Sequence, residues 1–299
     1  MARIELKARV REGLLILDGA MGTELAARGA KGDECNEYLN IEKPEIVSSV
    51  HRAYLEAGSD IVITNSFGGN RYALNRHGMG HLAEKVNKAA AKIAREAAGE
   101  DKWVLGDIGP TGDFMEPLGS LKAGELKDAF CYQAEALAAG GVDGFIIETM
   151  TALDEISVAI EAARGAVNLP ILATMSFDKT EMGFATMMGV QVETAVTELI
   201  GLGVDALGFN CGTATMGDYA ELTRRVAGAV AELGKEAVII AEPNAGMPEL
   251  EDGQTVYRVG ADEFATGVKA IYDAGARVIG GCCGTNPELI RAAVKTLRG

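Results

Sequence analysis

The sequence predicts an α/β fold, a single (β/α)8 TIM barrel occupying residues 1–299 as one domain. Three observations predict it. Eight short runs rich in Ile, Val and Leu recur along the chain at intervals of roughly 30 to 45 residues. The segments between them carry helical spacing, several ending on glycine, as helix C-termini do. No linker, low-complexity tract or composition shift interrupts the series. Strand then helix, eight times over, is the pattern of a barrel.

The strand candidates, in order, are LLILD (14–18), DIVITN (60–65), WVLGDI (103–108), GFIIET (144–149), ILATMSF (171–177), ALGFNC (206–211), AVIIAEPN (237–244) and ARVIGGCC (276–283). Continuous apolar runs of this length suit strands buried on both faces, as in a parallel sheet. PEIVSSVHRAYLEAG, HLAEKVNKAAAKIAREAAG, AGELKDAFCYQAEALAAGG and GADEFATGVKAIYDAGA read as helices between them. A doubly wound open sheet is the alternative. It fits less well, because DGAMGTEL after the first run has the wrong glycine spacing for the G-x-G-x-x-G dinucleotide turn.

Composition excludes several function classes. Hydrophobic residues at 48% and charged residues at 24% give ample material for a large core. With 28 basic and 43 acidic residues the net charge is −15, which repels phosphate backbones and anionic lipid surfaces, so neither nucleic acid nor membrane is an expected partner. The apolar run after the basic N-terminus is too short for a signal peptide, and no stretch approaches a membrane span, so the expected location is the cytoplasm. Five cysteines, an odd number without a secretion signal, argue against a disulfide framework.

Barrel enzymes build their sites at the C-terminal ends of the strands. The polar residues there are Asp18, Asn65, Asp107, Glu148, Ser176, Cys211, Asn244, Cys282 and Cys283. Three rim cysteines match the protein-ligand count of a catalytic zinc site, although buried cysteine also serves simply as a small hydrophobe. Strands six and eight are not neighbours, and the glycines of GGCCG would let the last loop turn inward. Cys131, in KDAFCYQ, reads as a packing residue and Cys35 as a loop thiol. Asp18 could accept N–H groups in a tight glycine turn or face a ligand. Glu148 ends an apolar strand, where a bare charge needs either a cationic substrate group or an internal Lys or Arg. His51, His77 and His81 all fall away from the strand ends.

DGAMGTEL (18–25), TNSFGGNRYALNRHG (64–78), GDIGPTG (106–112), IIET (146–149), GFNC (208–211), PNAGMP (243–248) and GGCCGTNPELI (280–290) together resemble the homocysteine S-methyltransferase family. Within it they look most like the homocysteine-binding domain of cobalamin-dependent methionine synthase, from about Glu12 to Leu297. The resemblance implies a zinc-dependent methyltransferase on a TIM barrel, with Cys211, Cys282 and Cys283 as zinc ligands and homocysteine as methyl acceptor. It implies that Asp18 and Glu148 contact the amino group, and that Thr23, Thr111 and Asn244 lie in or near the amino-acid pocket. TNSFGG offers only Phe67 toward the aromatic cage that betaine-using members need, and Thr149 stands where those members carry tyrosine.

No room is expected in 299 residues for a folate or cobalamin domain. The donor is therefore expected to be a methylated corrinoid on a separate protein, or else a small compound such as S-methylmethionine. Met182, Met187 and Met188 would shape a different substrate pocket or merely pack. Two further readings stay open. One is a methyltransferase working in reverse, from a methylated substrate to a corrinoid partner; the other is a non-catalytic zinc-binding module.

Overall fold

The computed structural model describes residues 5–31, 34–181, 183–251 and 254–299. All eight expected runs form strands: β1 (Leu15–Ile16), β2 (Ile61–Ile63), β3 (Trp103–Ile108), β4 (Gly144–Met150), β5 (Ile171–Met175), β6 (Ala206–Asn210), β7 (Ile239–Glu242) and β8 (Ala276–Ile279). The major helices that follow them are α1 (Pro44–Ala57), α2 (Ala83–Ala98), α3 (Ala123–Gly140), α4 (Leu153–Ala166), α5 (Val192–Gly201), α6 (Met216–Glu232), α7 (Ala261–Asp273) and α8 (Pro287–Arg298). The strands make one parallel sheet in the order β1-β8-β7-β6-β5-β4-β3-β2. Helices surround it, and the result is a nearly closed (β/α)8 barrel.

Carboxylates complete the seam between β1 and β2. The Asp60 N–H donates to Ile16 O at 2.8 Å, Asp60 Oδ2 accepts the Ile16 N–H at 2.9 Å, and Asp18 Oδ2 accepts the Ile63 N–H at 2.9 Å. Asp60 belongs to a series. Asp143 Oδ2 accepts the Val104 N–H at 2.8 Å and Asp205 Oδ2 the Ile171 N–H at 3.0 Å. Each aspartate stands just before an even-numbered strand and satisfies an N–H of an odd-numbered neighbour, which would otherwise be left without a partner. Cations hold these carboxylates in turn: Arg298 and Lys102 at Asp60, Arg95 at Asp143 and Lys7 at Asp205.

The core has two parts, as expected of strands covered on both faces. A large cluster lies between sheet and helices, including Val50, Phe130, Phe145, Phe209 and Phe264. The barrel interior is filled by Leu15, Leu17, Ile61, Trp103, Leu105, Ile146, Leu172, Ala206, Ile240 and Val278. Leu6 and Val10, in and beside the short N-terminal helix Leu6–Arg9, join this interior cluster. Side chains alternate along a strand. The next inward positions toward the C-terminal ends are therefore Asp107, Glu148, Thr174, Asn210 and Glu242, one pleat or two above the apolar layer.

Two antiparallel hairpins ornament the C-terminal side, pairing Asp178–Thr180 with Gly183–Ala185 and Glu249–Glu251 with Gln254–Val256. The sequence pattern does not show them, because each strand is three residues long. Met187 and Met188 follow the first hairpin, Met187 being 78% exposed; Met182 lies outside the described residues. Among the described residues no helix is long and apolar enough to cross a membrane.

One histidine behaves unlike the others. His51 on α1 is fully buried, and neither ring nitrogen has a hydrogen-bond partner among the described residues. Burial pushes its pKa down to about 4. An unfolded histidine takes up a proton near pH 6.5, but this one resists until about pH 4, so its contribution to stability falls as pH drops through that window. The penalty reaches about 3 kcal/mol at the acid end. In urea titrations of the metal-free protein, the stability difference between His51→Leu and wild type should shift in the variant's favour by about that amount from pH 7 to pH 4. A difference independent of pH would remove His51 from this role.

Candidate metal centre and acidic pocket

Seven of the eight strand ends, all but that of β5, open onto a cavity of about 250 Å³, whose lining includes Gly19 to Thr23, Ile63 to Phe67, Asp107, Glu148, Thr149, Cys211, Glu242, Cys282 and Cys283. Three cysteine sulfurs converge in it. Cys211 Sγ lies 3.9 Å from Cys283 Sγ, and Cys282 Sγ lies 4.0 Å from Cys283 Sγ. All three fall within 4.8 Å of one another. Tetrahedral zinc with Zn–S bonds of about 2.3 Å sets its sulfurs about 3.8 Å apart, so the trio fits the ion with little movement. Cys282 is pushed up in pKa, first by its hydrogen bond with Cys211, whereas Cys283 is pushed down by hydrogen bonds from Cys211 and Cys282. Cys211 lies on the loop after β6, and Cys282 and Cys283 lie on the loop after β8.

Strands β6 and β8 are separated by β7, and the loop after β7 closes the gap. On one side the Cys211 N–H donates to Glu242 O at 3.2 Å, and Asn244 Nδ2 donates to Gly212 O at 2.7 Å. On the other the Cys282 N–H donates to Pro243 O and the Ala245 N–H to Cys283 O, both at 2.9 Å. One loop thus clamps both cysteine-bearing loops. The expected inward turn of GGCCG is only half of the explanation. Cys211 and Gly212 turn sharply, with φ of 57° and 81°, and a β-carbon on Gly212 would collide with Phe177 O. Tyr219, buried on α6, anchors the turn by donating its hydroxyl to Cys211 O at 2.9 Å. The helices after both loops begin firmly: α6 with a Thr215–Asp218 capping box and α8 with Asn286 as cap ahead of Pro287.

The loop after β1 is tied to the same assembly. The Gly281 N–H donates to Asp18 O at 3.0 Å, and the Ala20 N–H to Thr285 Oγ1 at 3.0 Å. Buried Tyr54 hydrogen-bonds Ala20 O and Thr285 O at 2.9 and 3.2 Å. Hydrogen bonds therefore tie the loops after β6, β7, β8 and β1 into one assembly.

The electrostatics of the cavity are one-sided. Asp18, Asp107 and Glu242 are 2%, 5% and 1% exposed, and each has an oxygen with no partner among the described residues. Glu148 is partly buried. No lysine, arginine or histidine is among the residues lining the cavity. Burial, reinforced by the neighbouring carboxylates, pushes Asp18, Asp107 and Glu242 well above the ordinary carboxyl range. Glu148 rises to about 8, through burial and then the Cys211 sulfur. Groups that resist ionisation by desolvation and like charge take up cations readily.

Not every expected residue faces the cavity. Asp18 is not in the lining: one oxygen accepts the Ile63 N–H of β2 instead of an N–H of its own glycine turn, and the other has no partner among the described residues. Thr23 lines the cavity. Thr111 does not, because its N–H and hydroxyl both go to Glu155 Oε1, at 2.8 and 2.7 Å. Asn244 is likewise committed to its loop, with Oδ1 unpartnered. Cys35 sits in a loop but is buried against Leu74 and Ala83 rather than standing free. Cys131 packs partly buried on α3. Asp107 was visible as a strand-end acid without a role, and Glu242 and Asn210 were passed over. Counting two residues on from Leu105 and Ile240, and four on from Ala206, finds all three.

The trio makes a sharp expectation about metal. Cys211→Ala, Cys282→Ala and Cys283→Ala should each lose at least most of the bound zinc in metal analysis of the purified protein, while Cys35→Ala and Cys131→Ala keep a full equivalent. Retention by any one of the first three would exclude that residue from the ligand set.

Residues 15–297 match the family described as homocysteine S-methyltransferase. Among curated proteins the chain is similar to methionine synthase of Mycobacterium tuberculosis, 32% identical over 310 residues, and of Mycobacterium leprae, 31% identical over 309 residues. These alignments cover 95% and 96% of this chain but 25% and 24% of those proteins, so the chain spans about a quarter of their length. Among solved structures it superposes on the metallated homocysteine methyltransferase MmuM of Escherichia coli with a TM-score of 0.79, 24% identity, and coverage of 99% of this chain and 100% of that one. That likeness shows a shared barrel fold, and the match over residues 15–297 shows that the chain belongs to the homocysteine S-methyltransferase family.

Proposed function

We propose that this protein transfers a methyl group to the sulfur of homocysteine, giving methionine, at a zinc ion held by Cys211, Cys282 and Cys283. The observation that carries the proposal is the meeting of three thiols with unpartnered carboxylates in one cavity that has no cationic side chain in its lining. Homocysteine supplies what such a cavity lacks, a thiol and an ammonium group on one small molecule. Zinc, when bound, holds thiols in the deprotonated, nucleophilic form at neutral pH.

The chain's own residues do the rest. Glu148 and the unpartnered oxygen of Asp18 take the ammonium, and a charge held there fixes the direction in which the sulfur points. Thr23 borders the amino acid from the β1 loop. Thr111 and Asn244 act on the walls, Thr111 by fixing the β3 loop to Glu155 and Asn244 by holding the Cys211 turn. With acceptor and donor aligned, the sulfur forms its bond to the methyl carbon as the bond to the donor breaks, and that electron pair stays with the donor. Orientation is the barrel's main contribution to such a displacement.

The donor we assign is a methylated corrinoid carried by a separate protein. Motif resemblance supports this reading, and so does the surface around the mouth. Phe67, Phe114, Leu118, Met187, Met247 and Leu250 are exposed apolar side chains on segments that follow strands β2, β3, β5 and β7. Exposed apolar groups gathered at one end suit a protein partner better than a small donor.

Two measurements test these assignments. Glu148→Gln and Asp18→Asn should keep zinc but raise KM for homocysteine about 10- to 100-fold, the value of one charged hydrogen bond; unchanged KM in both would take them out of the substrate site. Methionine formation should be faster with a methylated corrinoid protein than with free methylcobalamin. Preference for S-methylmethionine would replace the donor assignment. Methylation of a corrinoid protein by a methylated substrate, with no methionine formed from any donor, would reverse the direction of transfer.

A further inference from the structure

Asn210 immediately precedes Cys211, is fully buried and faces the barrel interior at the foot of the cavity. Every atom of its amide is engaged. Oδ1 accepts the Thr149 N–H and the Thr174 hydroxyl, both at 2.8 Å. Nδ2 donates to Thr149 Oγ1 at 2.6 Å and also reaches Glu148 Oε2 at 3.5 Å and Cys282 Sγ at 3.7 Å. A single side chain on β6 thereby touches β4, β5 and the loop after β8.

Two of the connected residues are strained. Thr149 and Cys211 are the non-glycine residues with left-handed backbone among those described, at φ of 59° and 57°. Such conformations are costly for residues with a β-carbon and persist only where the surroundings impose them. Asn210 is the neighbour of one and hydrogen-bonds both the N–H and the hydroxyl of the other. Thr149 in turn follows Glu148.

We infer that Asn210 is the positioning residue that sets the metal centre and the ammonium-binding carboxylate in a fixed relation, and that its Nδ2 hydrogen bond to Cys282 tunes that thiolate as a ligand. The inference rests on the proposed function and deepens it. An N–H donor on a metal-bound thiolate draws charge off that sulfur, leaving the metal more able to draw charge from the substrate's sulfur. A purely space-filling or loop-bracing residue would do neither.

The test uses the whole chain loaded with Co(II) in place of zinc. Asn210→Asp keeps an oxygen for Thr149 N–H and Thr174 but removes the donor, so the sulfur-to-cobalt charge-transfer band should move to lower energy and zinc affinity should fall about 10-fold or more. Its KM for homocysteine should rise as well, because Glu148 is no longer held in register. Thr174→Val is the comparison, since it removes one bond to Oδ1 and leaves Nδ2 in place; its band should stay at the wild-type energy. If both variants shift the band equally, or neither does, Asn210 is a structural brace and the inference is overturned. Asn210→Leu, close in size and without any donor, gives the same reading should Asn210→Asp fail to fold: a wild-type band there also overturns it. Wild-type protein that binds neither metal would instead sink the zinc reading itself, which separates the two failures.

Discussion

The molecule is governed by a concentration of acid with no cationic side chain among the described lining residues to answer it. Asp107, Glu148 and Glu242 line one cavity together with three thiols, Asp18 lies buried just before the lining residue Gly19, and among the described residues no lysine, arginine or histidine lines the cavity. Ionising several such groups together, out of water, costs far more than a domain's net stability can supply. Without ligands each therefore holds its proton more tightly than an exposed carboxyl does, because burial and like charge disfavour the ionised form. A metal ion and an ammonium group reverse that balance, and both displace protons as they bind. Affinity for cations is thus built into the electrostatics before any particular contact is considered.

The scaffold tolerates this arrangement because its halves are separated. Below the cavity the barrel is filled by Leu15, Trp103, Leu105, Ile146, Leu172, Ile240 and Val278, with Leu6 and Val10 packed into the same cluster. Charged groups at the opposite rim, Asp60, Asp143 and Asp205, are each paired with a cation and each hold a neighbouring strand's N–H. Carboxylates at that end are satisfied and serve the sheet. At the C-terminal end Asp107 and Glu242 each keep an oxygen without a partner among the described residues. Asp18 shares both characters, one oxygen holding the closing seam of the barrel and the other unpartnered.

Particular residues show how much of this was legible in the sequence. The eight strands were, because burial on both faces leaves uninterrupted apolar runs, and the three cysteines were, because they end two of those runs. Asp107, Asn210 and Glu242 were obscured by the same apolar character. A run buried on both faces shows no alternation, so which residues point inward is read from packing and not from pattern. The clamp by the β7 loop was invisible for a different reason: three of its four hydrogen bonds join backbone to backbone, and main-chain groups carry no sequence signature. Thr111 stands in the glycine-rich GDIGPTG turn at a strand end, yet its N–H and hydroxyl are spent on Glu155, a partner 44 positions away. Cys35 looked like a loop thiol because its neighbours in sequence are polar, while its neighbours in space, Leu74 and Ala83, come from another part of the chain.

The same division says where this fold can change its chemistry. Residues at the strand ends are interlocked: Cys211 by Glu242, Tyr219 and Asn244, Cys282 and Cys283 by Pro243 and Ala245, and the β1 turn by Tyr54 and Thr285. Altering one disturbs several, so the sulfur and amino-group contacts are held fixed together. Phe114, Leu118, Met187 and Leu250 are exposed on the segments beyond. Substitution there meets little resistance from packing, since exposed side chains have few neighbours to displace. The interlocked floor therefore resists change, while the free rim can change without cost to it.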